Sequence, residues 1–177
     1  VYISSDFGVT WAVIAALPTA IDYIALSAIG KYMTCTANSP SVIYTSSDYG
    51  VNWILNTSAP SSSVNWSGLS VSASGEYQTV ADNLSSGIYT STDFGTTWIL
   101  SPSSVFGNFY YAAVSATGRY QTIVTFNFPG IYISEDFGNT WRLSSEPARR
   151  YRSVSMSATG QYQVTVVNFD GANPGGI

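Results

Sequence analysis

The sequence predicts an all-β fold built from repeated four-stranded antiparallel sheets, and three observations support this prediction. An eight-residue motif occurs four times, as SSDFGVTW, SSDYGVNW, STDFGTTW and SEDFGNTW, with its Asp residues 42, 45 and 43 positions apart. Runs of alternating large and small side chains recur between the motifs, as half-buried strands require. The chain is also rich in residues that favour strands, with 13 Tyr, 8 Phe and 5 Trp.

Each repeat contains four predicted strands, which we call A to D in chain order. Strand A alternates apolar and small residues and is predicted at 24–28, 69–73, 112–116 and 154–158. Strand B begins at the Tyr that follows a Gly turn and is predicted at 32–37, 77–82, 120–125 and 162–167. Strand C precedes the motif, at 42–46, 87–91 and 130–134, and strand D follows its turn, at 52–56, 97–101 and 140–144. Because the turns are short, each repeat is expected to form an antiparallel meander.

Four-stranded units that recur every 40–45 residues or so are typical of the blades of a β-propeller. One blade cannot bury both faces of its sheet alone, so blades are expected to stack side by side. We therefore predict an all-β, β-propeller-type array in a single domain over residues 1–177. The approximate blade units are 1–20, 21–56, 66–101, 109–144 and 151–177.

The first and last units are expected to be the C–D half and the A–B half of one split blade. This follows because the sequence opens in strand C, at Val1 and Tyr2, and stops after strand B. The halves could close one ring, pair with those of a neighbouring molecule, or belong to a longer array, and the sequence leaves these alternatives open. Since it opens on VYISSD, we expect a processed or partial product.

The repeated motif is expected to brace the turn between strands C and D. Its Gly tolerates a positive φ angle, and its Asp can accept hydrogen bonds from N–H groups of its own turn. Its Trp can pack over the hairpin, which contributes about 2–3 kcal/mol by burial. The predicted structural residues are Asp6, Gly8, Trp11, Asp48, Gly50, Trp53, Asp93, Gly95, Trp98, Asp136, Gly138 and Trp141.

At these residues the sequence resembles the Asp-box, or BNR, repeat family of β-propellers, which includes sialidases and sortilin-like receptors. The resemblance implies that the motif, called the Asp box below, is a structural turn at the periphery of the blade and away from any catalytic face. A calcium site is not expected, because each box supplies one carboxylate where calcium takes several oxygen ligands.

The composition excludes several classes of function. The chain has no His, which excludes a Ser-His-Asp triad, a Cys-His pair and most zinc sites. A formal net charge of −4 argues against nucleic-acid binding. No apolar run approaches the ~20 residues that span a membrane. The single Cys35 cannot form an intramolecular disulfide and is expected to be buried.

Sialidase chemistry is not expected. The family resemblance implies three separated arginines and an Arg-Ile-Pro motif in sialidases, whereas three of the five Arg here lie together in EPARRYR and no Arg-Ile-Pro occurs. We predict no catalytic residue, no metal and no cofactor, with a glycoside hydrolase or sialidase-like fragment as the alternative. Asn56, Asn65 and Asn83 begin Asn-x-Ser/Thr sequons, so they are candidate glycosylation sites and permit an extracellular, virion-surface or cell-surface location.

The connections from strand D to the next strand A are expected to form the ligand-binding face. The distance from the Ser of strand A to the next box Asp is 21 residues in each complete repeat, whereas the D–A connections vary in length and composition. Function is usually placed on variable loops held by a rigid frame. The candidate ligand residues are Trp66, Tyr110, Arg149, Arg150 and Arg152, within a wider set that includes Asp22, Tyr23, Phe106, Phe109, Phe128, Tyr151 and Phe169.

The same aromatic residues would also suit packing between blades, and the arginines would suit a solvated edge. The sequence leaves these interpretations open. The predicted function is a non-catalytic structural or interaction module, which could be adhesive, filament-forming or glycan-binding. The predicted partners are the chain itself, through the split blade, or surface glycans and proteins, with no nucleic acid and no membrane span.

Overall fold

The computed structural model describes residues 1–17, 20–84, 87–102, 107–126 and 130–168, and all regular secondary structure in these ranges is β-strand. An N-terminal half-blade consists of β1 (Tyr2–Ile3) and β2 (Ala12–Val13). Blade 1 consists of β3 (Tyr23–Leu26), β4 (Met33–Asn38), β5 (Ser41–Ser46) and β6 (Ile54–Leu55). Blade 2 consists of β7 (Trp66–Val71), β8 (Gln78–Asp82), β9 (Ile88–Ser91) and β10 (Ile99–Leu100). Blade 3 consists of β11 (Phe109–Val114), β12 (Gln121–Thr125), β13 (Ile131–Ser134) and β14 (Arg142–Leu143), and a C-terminal half-blade consists of β15 (Tyr151–Met156) and β16 (Gln163–Val167).

The predicted fold class is confirmed. Each complete blade is an antiparallel meander in which every strand pairs with its neighbours in the sequence. Strand D is shorter than predicted, with two residues in each complete blade, because the box Trp before it belongs to the turn. No helix that could span a membrane occurs among the described residues.

The core of the protein lies between successive blades. Ile43 of blade 1 packs with Trp66 and Trp98 of blade 2, and Ile88 of blade 2 packs with Phe109 and other residues of blade 3. Smaller clusters join the N-terminal half-blade to blade 1 and blade 3 to the C-terminal half-blade. Cys35 lies in the first of these smaller clusters, is fully buried as expected, and has a pKa that burial raises to about 12.

A ladder of polar pairs, of which the first two are buried, crosses every junction between blades 1, 2, 3 and the C-terminal half-blade. In each pair the hydroxyl of a Thr on strand B donates to the amide oxygen of a Gln on strand B of the next blade. The pairs are Thr34 to Gln78 at 2.5 Å, Thr79 to Gln121 at 2.5 Å, and Thr122 to Gln163 at 2.6 Å. The Gln amide nitrogen donates to the Gly carbonyl of its own A–B turn, so one side chain ties two blades and a turn together.

The A–B turns also connect successive blades at one end of the array. Backbone N–H groups donate from Ala28 to Ala73, from Ala73 to Ala116, and from Ala116 to Ala158, at 3.0, 3.0 and 2.8 Å. Beside these bonds, the Tyr of the A–B turn in blade 1 and in blade 2 stacks on the box Phe of the next blade. The ring centroids are 4.5 Å apart for Tyr32 and Phe94 and 4.6 Å apart for Tyr77 and Phe137.

We expect Thr79→Val to destabilise the fold by about 1–3 kcal/mol, because the Gln121 amide oxygen would remain buried without its donor. The double variant Thr79→Val plus Gln121→Met should lose less than the sum of the two single losses, since both polar partners are then gone. Urea denaturation of the four proteins measures this. Thr57→Val at an exposed position is the control, and strictly additive losses in the double variant would contradict the ladder.

Candidate functional site

The four Asp boxes form the same closed network of hydrogen bonds. In the first box, Asp6 accepts from the Ser4 hydroxyl at 2.8 Å and from the Thr10 N–H and hydroxyl at 2.9 and 2.5 Å. The Gly8 N–H donates to Ser4 at 2.9 Å, and the Trp11 indole N–H donates to the Gly8 carbonyl at 3.1 Å. Equivalent bonds occur in the other three boxes.

Two residues of each box have positive φ angles, which a tight turn of this kind requires. The aromatic residue has φ between 59° and 65°, and the following Gly has φ between 80° and 85°. An aromatic side chain in this region is uncommon and costs energy. This cost is offset by the hydrogen bonds that the Ser and Asp side chains make within the turn, and by the bond from the Trp indole N–H to the Gly carbonyl.

The network keeps the box carboxylates ionised. Hydrogen bonds from Thr10 lower the pKa of Asp6 to about 2, and those from Asn52 lower the pKa of Asp48. Burial raises the pKa values of Asp93 and Asp136, but hydrogen bonds from the neighbouring Thr residues outweigh it, so both pKa values are lowered. No group of three or more metal-ligating side chains occurs in the described part of the chain. Each box carboxylate accepts its hydrogen bonds from residues of its own turn.

The predicted ligand residues Tyr110, Arg150 and Arg152 come together around Phe126, where blade 3 meets the C-terminal half-blade. The rings of Tyr110 and Phe126 stack with centroids 5.3 Å apart. The Arg152 guanidinium lies 4.5 Å from the Phe126 centroid and 5.6 Å from that of Tyr110, and Arg150 lies 5.7 Å from the Phe126 centroid. We call these four residues the aromatic–arginine cluster.

The cluster presents positive charge to solvent. Arg150 and Arg152 are exposed, and Arg152 donates to the Tyr110 hydroxyl at 3.3 Å. The one salt bridge within the described ranges joins Arg142 and Glu135, at the other end of the blade. Cation–π contacts hold the faces of the guanidinium groups, which leaves N–H edges available to an anion.

Two of the predicted ligand residues lie outside this cluster. Trp66 is fully buried, with its ring 5.4 Å from that of Tyr89 in the core between blades 1 and 2, so the prediction that it contacts a ligand is wrong. Trp66 is the first residue of β7, and its side chain lies on the face of that strand that packs between the blades. Arg149 is half-buried near Tyr151. Burial and the negative charge of Glu146 raise the pKa of Tyr151, and the positive charge of Arg149 partly lowers it.

The wider set is divided in the same way. Phe109 and Tyr151 are buried between blades, as the packing alternative predicted. Tyr23 is half-buried, and Asp22 accepts the Asn38 N–H at 2.8 Å. The predictions for Phe106, Phe128 and Phe169 concern positions outside the described residues.

The candidate glycosylation sites differ in how far their side chains are engaged. The Asn56 amide nitrogen donates to the Gly95 and Thr96 carbonyls at 3.0 and 2.8 Å, which ties blade 1 to the box of blade 2. A glycan on this nitrogen would remove at least one of these bonds, so the structure argues against Asn56 as an acceptor. Asn65 and Asn83 are half-buried and stay candidates.

Sequence reasoning missed Phe126, which organises the cluster. Phe126 is the apolar residue that directly follows β12. A search that continued each strand B to its last apolar residue would have found it. Its partners are Tyr110 on β11, 16 positions earlier, and Arg150 and Arg152, 24 and 26 positions later, and this separation along the chain hides the grouping in the sequence.

Comparisons with solved structures support a β-propeller. Neither family models nor curated proteins give a match. TolB from Acinetobacter baumannii superposes with a TM-score of 0.67 at 20% identity, over 94% of this chain and 42% of that one. The GH74 enzyme from Niastella koreensis superposes with a TM-score of 0.66 at 16% identity, over 84% of this chain and 26% of that one. YCF48 bound to a D1 peptide superposes with a TM-score of 0.63 at 18% identity, over 84% of this chain and 48% of that one.

This chain therefore spans about a quarter to a half of the length of these β-propeller proteins. At such low identity the likeness shows the fold alone. Membership of the Asp-box family stays a prediction, based on the four boxes.

We expect acid to weaken the boxes. Their folded pKa values lie below the unfolded value of about 3.9, so the stability they give is present above about pH 4 and is lost as pH falls toward about 2. Thermal denaturation at pH 5 and pH 2.5 should show a lower Tm at pH 2.5. The variant Asp93→Asn plus Asp136→Asn should melt lower at pH 5 and lose less on acidification. Glu146→Gln is the control, and an unchanged acid loss in the double variant would contradict the assignment.

Proposed function

We propose that this chain is a non-catalytic β-propeller module that binds carboxylate- or sulfate-bearing glycans at a cell or virion surface. The observation that carries the proposal is the aromatic–arginine cluster. Two exposed guanidinium groups, that of Arg150 just before β15 and that of Arg152 on β15, lie against a pair of stacked rings from blade 3.

The electrostatics of the cluster favour an anionic ligand. The protein as a whole carries a formal net charge of −4, so it does not attract anions through its overall charge. A carboxylate or sulfate would instead meet two local guanidinium groups whose planar N–H edges can bind it with parallel hydrogen bonds. Because the rings already support the guanidinium groups, less side-chain freedom is lost on binding.

The non-catalytic part of the proposal is supported by how the carboxylates are used. The box Asp residues bind their own turns. At the opposite end, Asp22 accepts the Asn38 N–H, and Asp82 is fully buried and accepts the N–H groups of Asn65 and Leu84 at 2.6 and 3.0 Å. Retaining glycosidases need two carboxyl groups about 5–5.5 Å apart that are free to react.

A hydrolase fragment is the alternative, since one similar structure is a GH74 enzyme. The fold is shared by enzymes and by proteins that bind peptides, such as the YCF48 complex, so fold alone does not decide between them. The charge and exposure of the cluster favour binding.

We expect the chain to bind sulfated or sialylated glycans more tightly than neutral ones on a glycan array. The variant Arg150→Gln plus Arg152→Gln should weaken that binding at least tenfold, because each charge-assisted hydrogen bond is worth about 1.5–3 kcal/mol. Titration calorimetry with the tightest glycan measures the change. The variant Arg119→Gln plus Arg142→Gln removes the same charge elsewhere and should bind as the wild type does. Equal losses in both double variants would sink the proposed site.

Hydrolysis gives a separate check on the catalytic alternative. We expect no release of product from xyloglucan or from a fluorogenic sialoside at any pH between 4 and 8. Reducing-end and fluorescence assays measure this, with a known hydrolase as positive control. Turnover that survives repeated purification would overturn the non-catalytic assignment.

A further inference from the structure

A groove of about 400 Å³ lies between blade 1 and the Asp box of blade 2, at a different junction from the aromatic–arginine cluster. Its volume falls within the range of about 300–1,000 Å³ that is usual for small-molecule sites. It is lined by Tyr32, by parts of β5 and β6, by residues 56 and 57, and by the box residues Phe94 and Thr96. We call it the junction groove.

Two aromatic rings and two exposed aliphatic side chains give the junction groove its apolar surface. Tyr32 and Phe94 stack with their centroids 4.5 Å apart, and the Lys31 ammonium lies 5.2 Å from the Tyr32 centroid. Phe94 is 38% exposed, Ile54 is 68% exposed and Leu55 is 45% exposed. Large apolar side chains that stay exposed beside a concave surface are typical of a binding site.

Free hydroxyl groups lie beside these apolar side chains. The hydroxyls of Thr45, Ser47 and Thr57 have no hydrogen-bond partner among the residues that the structure describes. Each hydroxyl can donate one hydrogen bond and accept two. None of the described residues that line the groove is an Asp, Glu, Lys or Arg. The junction groove therefore offers a ligand ring surface and neutral hydrogen bonds, without a charged partner.

Hydrogen bonds from Asn56 fix the shape of the junction groove. The Asn56 amide nitrogen donates to the Gly95 and Thr96 carbonyls of blade 2 at 3.0 and 2.8 Å. Its amide oxygen accepts the N–H groups of Ser58 and Ala59 at 2.9 and 3.0 Å. Because these bonds join the two walls before any ligand arrives, less conformational freedom is lost on binding.

We propose that the junction groove binds an uncharged pyranose ring of a glycan, with the C–H face of the sugar on Phe94 and its hydroxyls on Thr45, Ser47 and Thr57. A pyranose has a face of C–H groups and a rim of hydroxyls, and exposed aromatic rings with polar neighbours match both. This site goes beyond the proposed function, because it uses no negative charge on the ligand and no residue of the aromatic–arginine cluster.

Two other classes of ligand match the junction groove less well. An anion would find no charged side chain among the described lining residues. An extended peptide would pair with the free edge of β6, which is the outermost strand of its sheet. That strand has two residues, and a short edge strand offers few backbone hydrogen bonds to a peptide.

NMR spectroscopy of the full chain, which has a mass of 18.9 kDa, tests the proposal. We would titrate it with maltose and with lactose, two uncharged disaccharides, up to tens of millimolar. We expect amide shifts that are concentrated at residues 45–47, 54–57 and 94–96 for at least one of the two sugars. Saturation transfer should reach the C–H protons of the sugar ring that lies on Phe94.

Two variants of the junction groove should weaken this binding. Phe94→Leu keeps an apolar side chain but removes the ring, so the Kd for the sugar should rise about threefold to tenfold. Ser47→Ala plus Thr57→Val removes two free hydroxyls at exposed positions, and the Kd should again rise at least about threefold.

Matched controls come from the first Asp box. Phe7 holds the box position of Phe94, Ser5 holds that of Ser47, and both are exposed. Phe7→Leu plus Ser5→Ala should bind the sugar as the wild type does. Circular dichroism confirms that all variants are folded.

Three outcomes would overturn the proposal: no shifts with either sugar, shifts that lie outside the junction groove, or equal weakening in the control variant. Shifts at the groove with an uncharged tetrapeptide of alternating valine and threonine, but with neither sugar, would assign it to strand addition instead.

The variant Arg150→Gln plus Arg152→Gln separates this proposal from the proposed function. It should bind the disaccharide as the wild type does, and a weaker binding would overturn a separate site in the junction groove. If the wild type binds the disaccharide but no anionic glycan, the proposed function fails and the junction groove stands.

Discussion

A blade of about 43 residues has two apolar faces and is too thin to bury either of them by itself, and this constraint governs the rest of the structure. Because each sheet must be covered on both sides, the contacts that stabilise the fold lie at the junctions between blades. The core residues, the Thr–Gln ladder and the aromatic stacks all lie at junctions. The Asp box serves the same end, because it holds strand D and the box aromatic in position for the neighbouring blade.

The ladder shows how such a junction gains specificity. An apolar interface alone would tolerate many ways of sliding one sheet over the next. A buried Thr hydroxyl that must meet a Gln oxygen allows one arrangement, since any slip leaves both groups without partners.

The sequence predicted the blades well because repetition supplied four observations of each strand and turn. It failed at Trp66, since one alternating pattern does not tell which face of a strand meets solvent at the first residue of β7. It also failed to find Phe126, whose role depends on contacts across two blades. The strands and turns within one repeat could therefore be predicted. Side-chain contacts between repeats could be predicted only where all repeats share a residue type, as they do in the Asp box.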